Sequence, residues 1–301
     1  MRVLNIGSIN IDHVYEVAHF VCAGETLGGQ GYRTFAGGKG FNQSIALSRA
    51  GISTRHAGKV GKDAAWLLRR LEEEGVDTRY VAVGDYATGH AIIQVVPDGE
   101  NAIVLYGGAN QRMTAADIEA ALASCAPGDC LLLQNETNLV PQAIREAHAR
   151  GLRVVFNPAP MDPAVHQYPL ELVDLFVVNE TEARELTART APEDIVANMR
   201  TRFPGSATVW TRGSEGAIYF DARTWLHEPA RRVEVVDTTA AGDTFIGFFL
   251  AALLRTQDPA FALAQGCRAA AICVTRAGAS DAIPLLSELD GVEAVTPDTR
   301  L

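Results

Sequence analysis

The sequence predicts an α/β fold, a three-layer sandwich with a mostly parallel central sheet flanked by helices, plus a small additional β-sheet. Three observations predict it. Short apolar runs recur along the chain, helical patterns follow them, and two stretches carry strands in succession with no helix between them. A length of 301 residues suits one large core with a smaller appendage.

The apolar runs include Val3–Ile6, Cys130–Leu133, Val154–Phe156, Leu175–Val178 and Thr208–Trp210. They are short and apolar on both alternating sets of positions, the pattern of strands buried on both faces. Helical patterns lie at Phe41–Ala50, Ala64–Glu74, Ala115–Ser124, Pro141–Arg150 and Glu180–Thr187. Their alternation with the strands points to helices layered on a parallel sheet. The two exceptions fall at about 11–35 and 88–107. In the second, Ile92–Val96, the turn Pro97-Asp98-Gly99-Glu100 and Ala102–Tyr106 read as a hairpin. Successive antiparallel strands fit poorly inside a doubly wound sheet, so these stretches are expected to form a small β-sheet lid or contact surface. The whole chain, 1–301, is read as a single domain that carries this lid.

Composition narrows the function. There are 36 acidic and 26 basic residues, a net charge of −10. Such a chain has no general field for collecting polyanions, so nucleic acid and anionic membrane surfaces are disfavoured as partners. The five cysteines (Cys22, Cys125, Cys130, Cys267 and Cys273) are scattered, with no C-x-x-C pair. They are expected to be buried reduced thiols. The start reads as a β-strand, not a leader, and the apolar helical stretch Phe245–Leu254 is roughly half of what a bilayer crossing needs. A cytoplasmic location is the expectation.

Five short segments carry chemistry. In Asp237-Thr238-Thr239-Ala240-Ala241-Gly242-Asp243-Thr244-Phe245, small residues run into an acid and then an apolar helix. Backbone N–H groups at such a helix mouth can hold a phosphoryl group, with Asp243 placed to accept a proton from an attacking hydroxyl. The same run also fits an aspartate that only caps the first turn. Ala36-Gly37-Gly38-Lys39-Gly40-Phe41-Asn42 lacks the spacing of a Walker loop and leads into a helix expected to start near Gln43. Its glycines can admit a small polar ligand, or can form a purely structural turn. Asn10-Ile11-Asp12 is read as the end of the first strand, where Asp12 can accept two vicinal hydroxyls. Asn179-Glu180-Thr181-Glu182 and the glycine loop Thr211–Gly216 each follow an apolar run.

Together and in this order, these segments resemble the ribokinase family of sugar kinases, the PfkB superfamily. The resemblance also includes Asn157-Pro158-Ala159-Pro160 and Val274-Thr275-Arg276-x-Gly278-Ala279, and spans roughly residues 3–284. It implies transfer of the ATP γ-phosphoryl group to the primary 5-hydroxyl of D-ribose, with a β-lid that closes over the sugar and pairs in a homodimer. By position, Asp243 resembles the catalytic base and Ala240, Ala241 and Gly242 the anion hole. Asn10, Asp12, Gly38, Lys39, Asn42, Glu136 and Asp243 match sugar-contacting positions. Asn179, Thr211, Gly213, Gly216 and Gly242 match nucleotide-contacting ones, and Glu182 resembles a residue tied indirectly to Mg²⁺. An activating K⁺ is implied near Asp237, Thr239, Cys273, Arg276 and Gly278, mainly through carbonyls.

The chain departs from the family pattern at three places. Ala282 stands where a serine is usual at the K⁺ site, and Phe248 where a small residue is preferred. Phe41 is bulky inside the glycine motif and is expected to reshape the sugar pocket. The same scaffold serves kinases of deoxyribose, other pentoses, hexoses and nucleosides, and Asp12 and Glu136 do not separate these. A sugar-binding protein without catalysis is a further reading, against which the intact base and anion hole weigh.

Overall fold

The computed structural model describes residues 1–291. In chain order the elements begin β1 (Val3–Ile6), β2 (Asn10–Glu16), β3 (Gly31–Gly37), α1 (Lys39–Arg49), β4 (Thr54–Gly61), α2 (Ala65–Glu73) and β5 (Asp77–Gly84). There follow β6 (Gly89–Val95), β7 (Asn101–Tyr106), α3 (Ala115–Leu122), β8 (Cys130–Gln134), α4 (Val140–Ala149), β9 (Arg153–Asn157) and β10 (Leu175–Val178). The last are α5 (Glu180–Thr187), α6 (Pro192–Arg202), β11 (Ala207–Thr211), β12 (Ala217–Phe220), β13 (Trp225–Glu228), α7 (Ala241–Thr256) and α8 (Pro259–Cys273).

Nine strands form the central sheet in the order β13-β12-β11-β10-β9-β8-β1-β4-β5. It is parallel except for the β11–β12 and β12–β13 pairs. Alternation along each buried strand sends side chains into two separate cores. Val3, Cys130, Leu132, Val155, Leu175 and Val177 pack on one face with α1, α2, α7 and α8. Leu4, Leu131, Leu133, Phe156, Phe176 and Val178 pack on the other with α3, α4, α5 and α6. The three predicted layers follow from this division.

A second sheet of four strands, β3-β2-β6-β7, is separate from the first. It is not wholly antiparallel, because β2 and β6 run parallel, Asn10 opposite Gly89 through Glu16 opposite Val95. Both of its faces leave large apolar side chains in solvent. On the edge strand β7, Ile103, Val104, Leu105 and Tyr106 are between 47% and 65% exposed.

Several expectations change. Helix α1 starts at Lys39, four residues before Gln43, because Gly38 adopts φ 94° and turns the chain straight into the helix. Asp12 does not end the first strand. That strand stops at Ile6, and Asp12 lies on β2 of the second sheet. Phe41 does not face a pocket: it is fully buried in the core with α7 and α8, and so is Phe248. All five cysteines are free, but Cys22 is exposed and Cys125 only partly covered. Among the described residues no helix is long and apolar enough to cross a membrane.

The contact between α1 and α7 is unusually close. A β-carbon added at Gly247 would lie 2.3 Å from Ala46 Cβ and 2.7 Å from the Ala46 carbonyl carbon. Gly247→Ala must push the two helices apart. Such overpacking is expected to cost roughly 1–3 kcal/mol in urea unfolding. Gly205→Ala, where an added carbon meets nothing within 4 Å, is the control and should leave stability nearly unchanged.

Candidate active site

The carboxyl ends of the central strands converge on one region. Ser8 and Asn10 follow β1, Glu136 follows β8, Asn157 ends β9, Asn179 follows β10 and Thr211 ends β11. Strand order reverses between β1 and β8, so this is the switch-point crevice where open α/β sheets bind ligands.

Helix α7 delivers the central group. Its N-cap residue, Ala240, sits in the left-handed region at φ 60° and supplies no side-chain cap. The Ala241 N–H donates to the Thr238 carbonyl. Those of Gly242 and Asp243 have no acceptor among the described residues, and both residues line a cavity of about 220 Å³. Free N–H groups and the positive end of a helix dipole form a receptor for an anion. Asp243 does not cap its own helix. Its Oδ2 accepts from Asn42 Nδ2 at 3.1 Å and its Oδ1 from Gln43 Nε2 at 2.8 Å, both from α1. Burial pushes its carboxyl above the usual range, with Lys39, Gln43 and Asn42 pulling the other way.

Lys39 lines the same small cavity, with Asn179, Glu182, Thr211, Thr238 and Ala240. Burial disfavours its charge, yet Asp243, Glu136 and Glu182 around it outweigh that and hold its ammonium above the usual range. Glu182 is fixed by its helix. Asn179 and Glu182 form a reciprocal capping box on α5, Asn179 Oδ1 accepting from Glu182 N while Glu182 accepts from Asn179 N and Nδ2, each at 2.9 Å. Burial raises the Glu182 carboxyl as well.

Asn179, Thr211, Thr238 and Gly242 also border a second cavity of about 810 Å³. Gly213, Ser214 and Gly216 line its loop side, while Val233, Val235, Ala270, Ala271 and Val274 give it an apolar wall. That size and lining suit a nucleotide, with an apolar slot for a base and a polar end at the helix mouth.

Asn10, Asp12, Gly38 and Glu136 line neither cavity; they lie around α1's N-terminus. Glu136 accepts from the Lys39 N–H at 3.0 Å and from the Ser8 hydroxyl. Asn10 Oδ1 accepts from Asn110 Nδ2 at 2.7 Å, leaving its own amide hydrogens for other partners. The Asn42 side-chain oxygen, Oδ1, is buried without a donor. Burial, with Glu136 adding repulsion, pushes the Asp12 carboxyl up to about 7. Gly37 makes room for it: a β-carbon there would lie 2.1 Å from Asp12 Oδ2.

Asp237, Thr239, Cys273 and Gly278 come together beside the α7 mouth. Asp237 Oδ1 accepts from Thr239 N and Oγ1, at 2.9 and 2.7 Å, and Oδ2 from Gly278 N at 3.0 Å. Burial opposes ionisation of Asp237, but these donors outweigh it and hold the carboxyl below its usual range. Arg276 directs its guanidinium elsewhere, to Glu288 at 2.5 Å. Ala282 is buried and offers no side-chain oxygen. Among the described residues no three His, Cys, Asp or Glu side chains converge as a metal cage.

The site also uses residues outside the predicted set. Ser8, Gln43, Asn110, Gln134 and Asn157 hold the predicted ones in place, and each is almost fully buried. Asn157 opens the Asn157–Pro160 segment and Gln134 directly follows the apolar run Cys130–Leu133, whereas Asn110 has no such mark in the sequence.

An uncapped helix mouth, an acid beside it and a nucleotide-sized cavity behind it are the equipment of a phosphoryl-transfer enzyme built on an α/β sandwich. The chain belongs to the pfkB family of carbohydrate kinases, whose profile matches residues 2–286. Ribokinase of Haemophilus influenzae is 39% identical over 292 residues, 94% of this chain and 95% of that protein. Deoxyribokinase of Salmonella typhi is 31% identical over 304 residues, 96% of this chain and 98% of that one. Among solved structures, Arabidopsis thaliana ribokinase complexed with ribose and ATP superposes with a TM-score of 0.85 at 27% identity. The match covers 97% of this chain and 99% of that chain.

Asp12 gives a testable consequence. A carboxyl raised from 3.8 to about 7 on folding takes up a proton between those values. Its burial therefore costs stability fully above pH 7 and not at all below pH 3.8. Asp12→Asn is expected to raise the Tm of the unliganded protein by a few degrees at pH 8, with the gain vanishing toward pH 4.

Proposed function

We propose that the protein transfers the γ-phosphoryl group of ATP to the primary 5-hydroxyl of D-ribose, with Asp243 as general base. The observation that carries this reading is the position of Asp243. Its carboxylate stands at the free N–H groups of the α7 mouth, between the nucleotide-sized cavity and the polar cluster of Asn10, Asp12, Asn42 and Glu136.

ATP would lie in the larger cavity, its base against Val233, Val235 and Ala270 and its phosphates toward Asn179, Thr211 and Gly242. Lys39 and the Gly242 and Asp243 N–H groups would meet the charge that develops on the transferred group. Asp12 would accept the two vicinal ring hydroxyls, and Asn10, Gly38 and Asn42 would fix the ring, bringing the 5-hydroxyl to Asp243. Asp243 would take the hydroxyl proton as the oxygen attacks in line with the departing ADP.

Mg²⁺ suits this donor set as an ion carried in with ATP. The smaller cavity, toward which the phosphates would point, offers Glu182 and Asp243 as its carboxylates, enough to order its waters without caging it. When bound it neutralises phosphate charge. The Asp237 carboxylate has no cationic side chain within ion-pair distance among the described residues, and the Thr239 carbonyl beside it accepts only the weak Cys273 S–H. Both suit a K⁺ ion held by Asp237 and the carbonyls of Thr239 and Cys273, in a site weakened by Ala282.

The second sheet is read as a lid over the sugar, since Asp12 is carried on β2. Its outward apolar side chains support pairing of two lids in a homodimer. The free thiols fit a reducing compartment such as the cytoplasm.

The test of the sugar assignment is ADP release across ribose, 2-deoxyribose, other pentoses, hexoses and nucleosides, with and without K⁺. Ribose should give the highest kcat/KM, with 2-deoxyribose lower because it lacks one of the hydroxyls offered to Asp12. A strong preference for another acceptor overturns the sugar and leaves the kinase. Sedimentation at micromolar concentration should give a dimer that Val104→Lys dissociates; a monomeric parent protein would sink the pairing of lids.

A further inference from the structure

Behind Asp243 runs a line of buried polar side chains with no part in the scheme above. It begins at Gln43, whose Nε2 donates to Asp243 Oδ1 at 2.8 Å. Gln134 Nε2 donates to Gln43 Oε1 at 2.6 Å and to Asn5 Oδ1 at 3.0 Å. Asn5 Nδ2 donates to the Gly40 carbonyl at 2.8 Å and to Ser44 Oγ at 2.9 Å. Ser44 Oγ lies 2.8 Å from His56 Nδ1, and His56 Nε2 lies 3.1 Å from the Gly7 carbonyl. Asn5, Gln43, Ser44 and His56 are fully buried and Gln134 is 1% exposed, so these groups are shielded from bulk water.

Each end of this line permits only one direction of donation. A carboxylate only accepts, so Gln43 must present its NH₂ to Asp243 and its carbonyl to Gln134. A backbone carbonyl only accepts, so His56 must carry its proton on Nε2 and receive the Ser44 hydroxyl on Nδ1. Burial holds His56 neutral, its pKa lowered to about 4, which keeps that tautomer. The two constraints agree along the whole line, and no amide in it can turn over without losing bonds. The second hydrogen of Gln43 Nε2 reaches Asn157 Oδ1 at 3.3 Å. Asn157 Nδ2 in turn donates to the Val177 carbonyl at 2.9 Å and to Glu182 Oε2 at 3.4 Å. Gln43 thus ties the Asp243 carboxylate both to the sheet and to the Asn179–Glu182 pair.

We infer that Gln43 is a positioning residue for the reaction: held by Gln134 and Asn157, it fixes the plane of the Asp243 carboxylate and stabilises its ionised, proton-accepting form. This rests on the reading of Asp243 as the base. Such a role goes beyond packing, because a donor to an ionised carboxylate lowers its proton affinity, and removing that donor raises it.

The test is the pH profile of kcat for Gln43→Met, which keeps the length and apolar volume but cannot donate. The expected result is a 10- to 100-fold lower kcat near neutral pH. KM for the sugar should change less than about threefold, and the acidic limb should move upward by roughly half to one pH unit. Gln134→Met, one bond further away, should move the limb in the same direction by less, and it supplies the readout if Gln43→Met does not fold. A soluble Gln43→Met enzyme with kcat within twofold of the parent and an unmoved limb overturns the inference. Asp243→Asn separates the two layers of the argument. If it retains near-normal turnover, the base assignment itself fails; if it is inactive while Gln43→Met is normal, only the role of Gln43 fails.

Discussion

The site depends on the close packing of α1 against α7. Asp243 belongs to one helix, and both side chains that bond its carboxylate belong to the other. Those bonds are possible only because Gly247 lets the helix backbones approach where Ala46 faces it. A second close approach sets the other end of α1: a β-carbon on Gly40 would lie 2.5 Å from Ser8 N and 2.6 Å from Gly7 Cα. Helix α1 is therefore pinned to β1 at its start and to α7 along its length. Asn42 and Gln43 lie between the two pins. Backbone contacts of this kind leave little freedom, and a carboxylate acting as the proposed base would need that rigidity.

The charge distribution follows from the same arrangement. Lys39, at the first position of α1, stands among Asp243, Glu136 and Glu182. A net charge of −10 works against binding a polyanionic nucleotide, but the phosphates would not meet the average surface. They would meet one half-buried lysine, two unshared N–H groups and the positive end of a sixteen-residue helix. None of these acts far beyond the cavity, so local affinity for phosphate coexists with overall acidity.

Much of the architecture was legible because it rests on patterns local in sequence. The buried strands announce themselves as two-sided apolar runs, and α5 falls at Glu180–Thr187 because its capping box is written within four residues. The strands at Gly89–Val95 and Asn101–Tyr106 followed from the Asp98-Gly99 turn. What failed was local geometry with more than one solution. Glycines 37, 38 and 40 suggest a turn before a helix near Gln43, but only Gly38 has positive φ, and the helix begins one residue later. Asp12 reads as the end of the first strand because Ile9 and Ile11 continue the apolar pattern past Gly7-Ser8, where the strand in fact breaks. The sequence neighbours of Phe41 point it toward the sugar, whereas its helical position turns it into the core. The polar line behind Asp243 was not legible at all: Gln43 and Gln134 are 91 residues apart, and Gln43 and Asp243 are 200 apart. A single sequence carries no pattern that links them.

The central claim is that Asp243 directs a phosphoryl group from ATP onto the primary hydroxyl of a pentose. The most direct measurement is the ³¹P spectrum of the product formed from ATP and ribose. The account expects one new phosphomonoester resonance whose couplings place it on the C5 methylene. Inorganic phosphate alone, or a phosphate coupled to the anomeric proton, would contradict it.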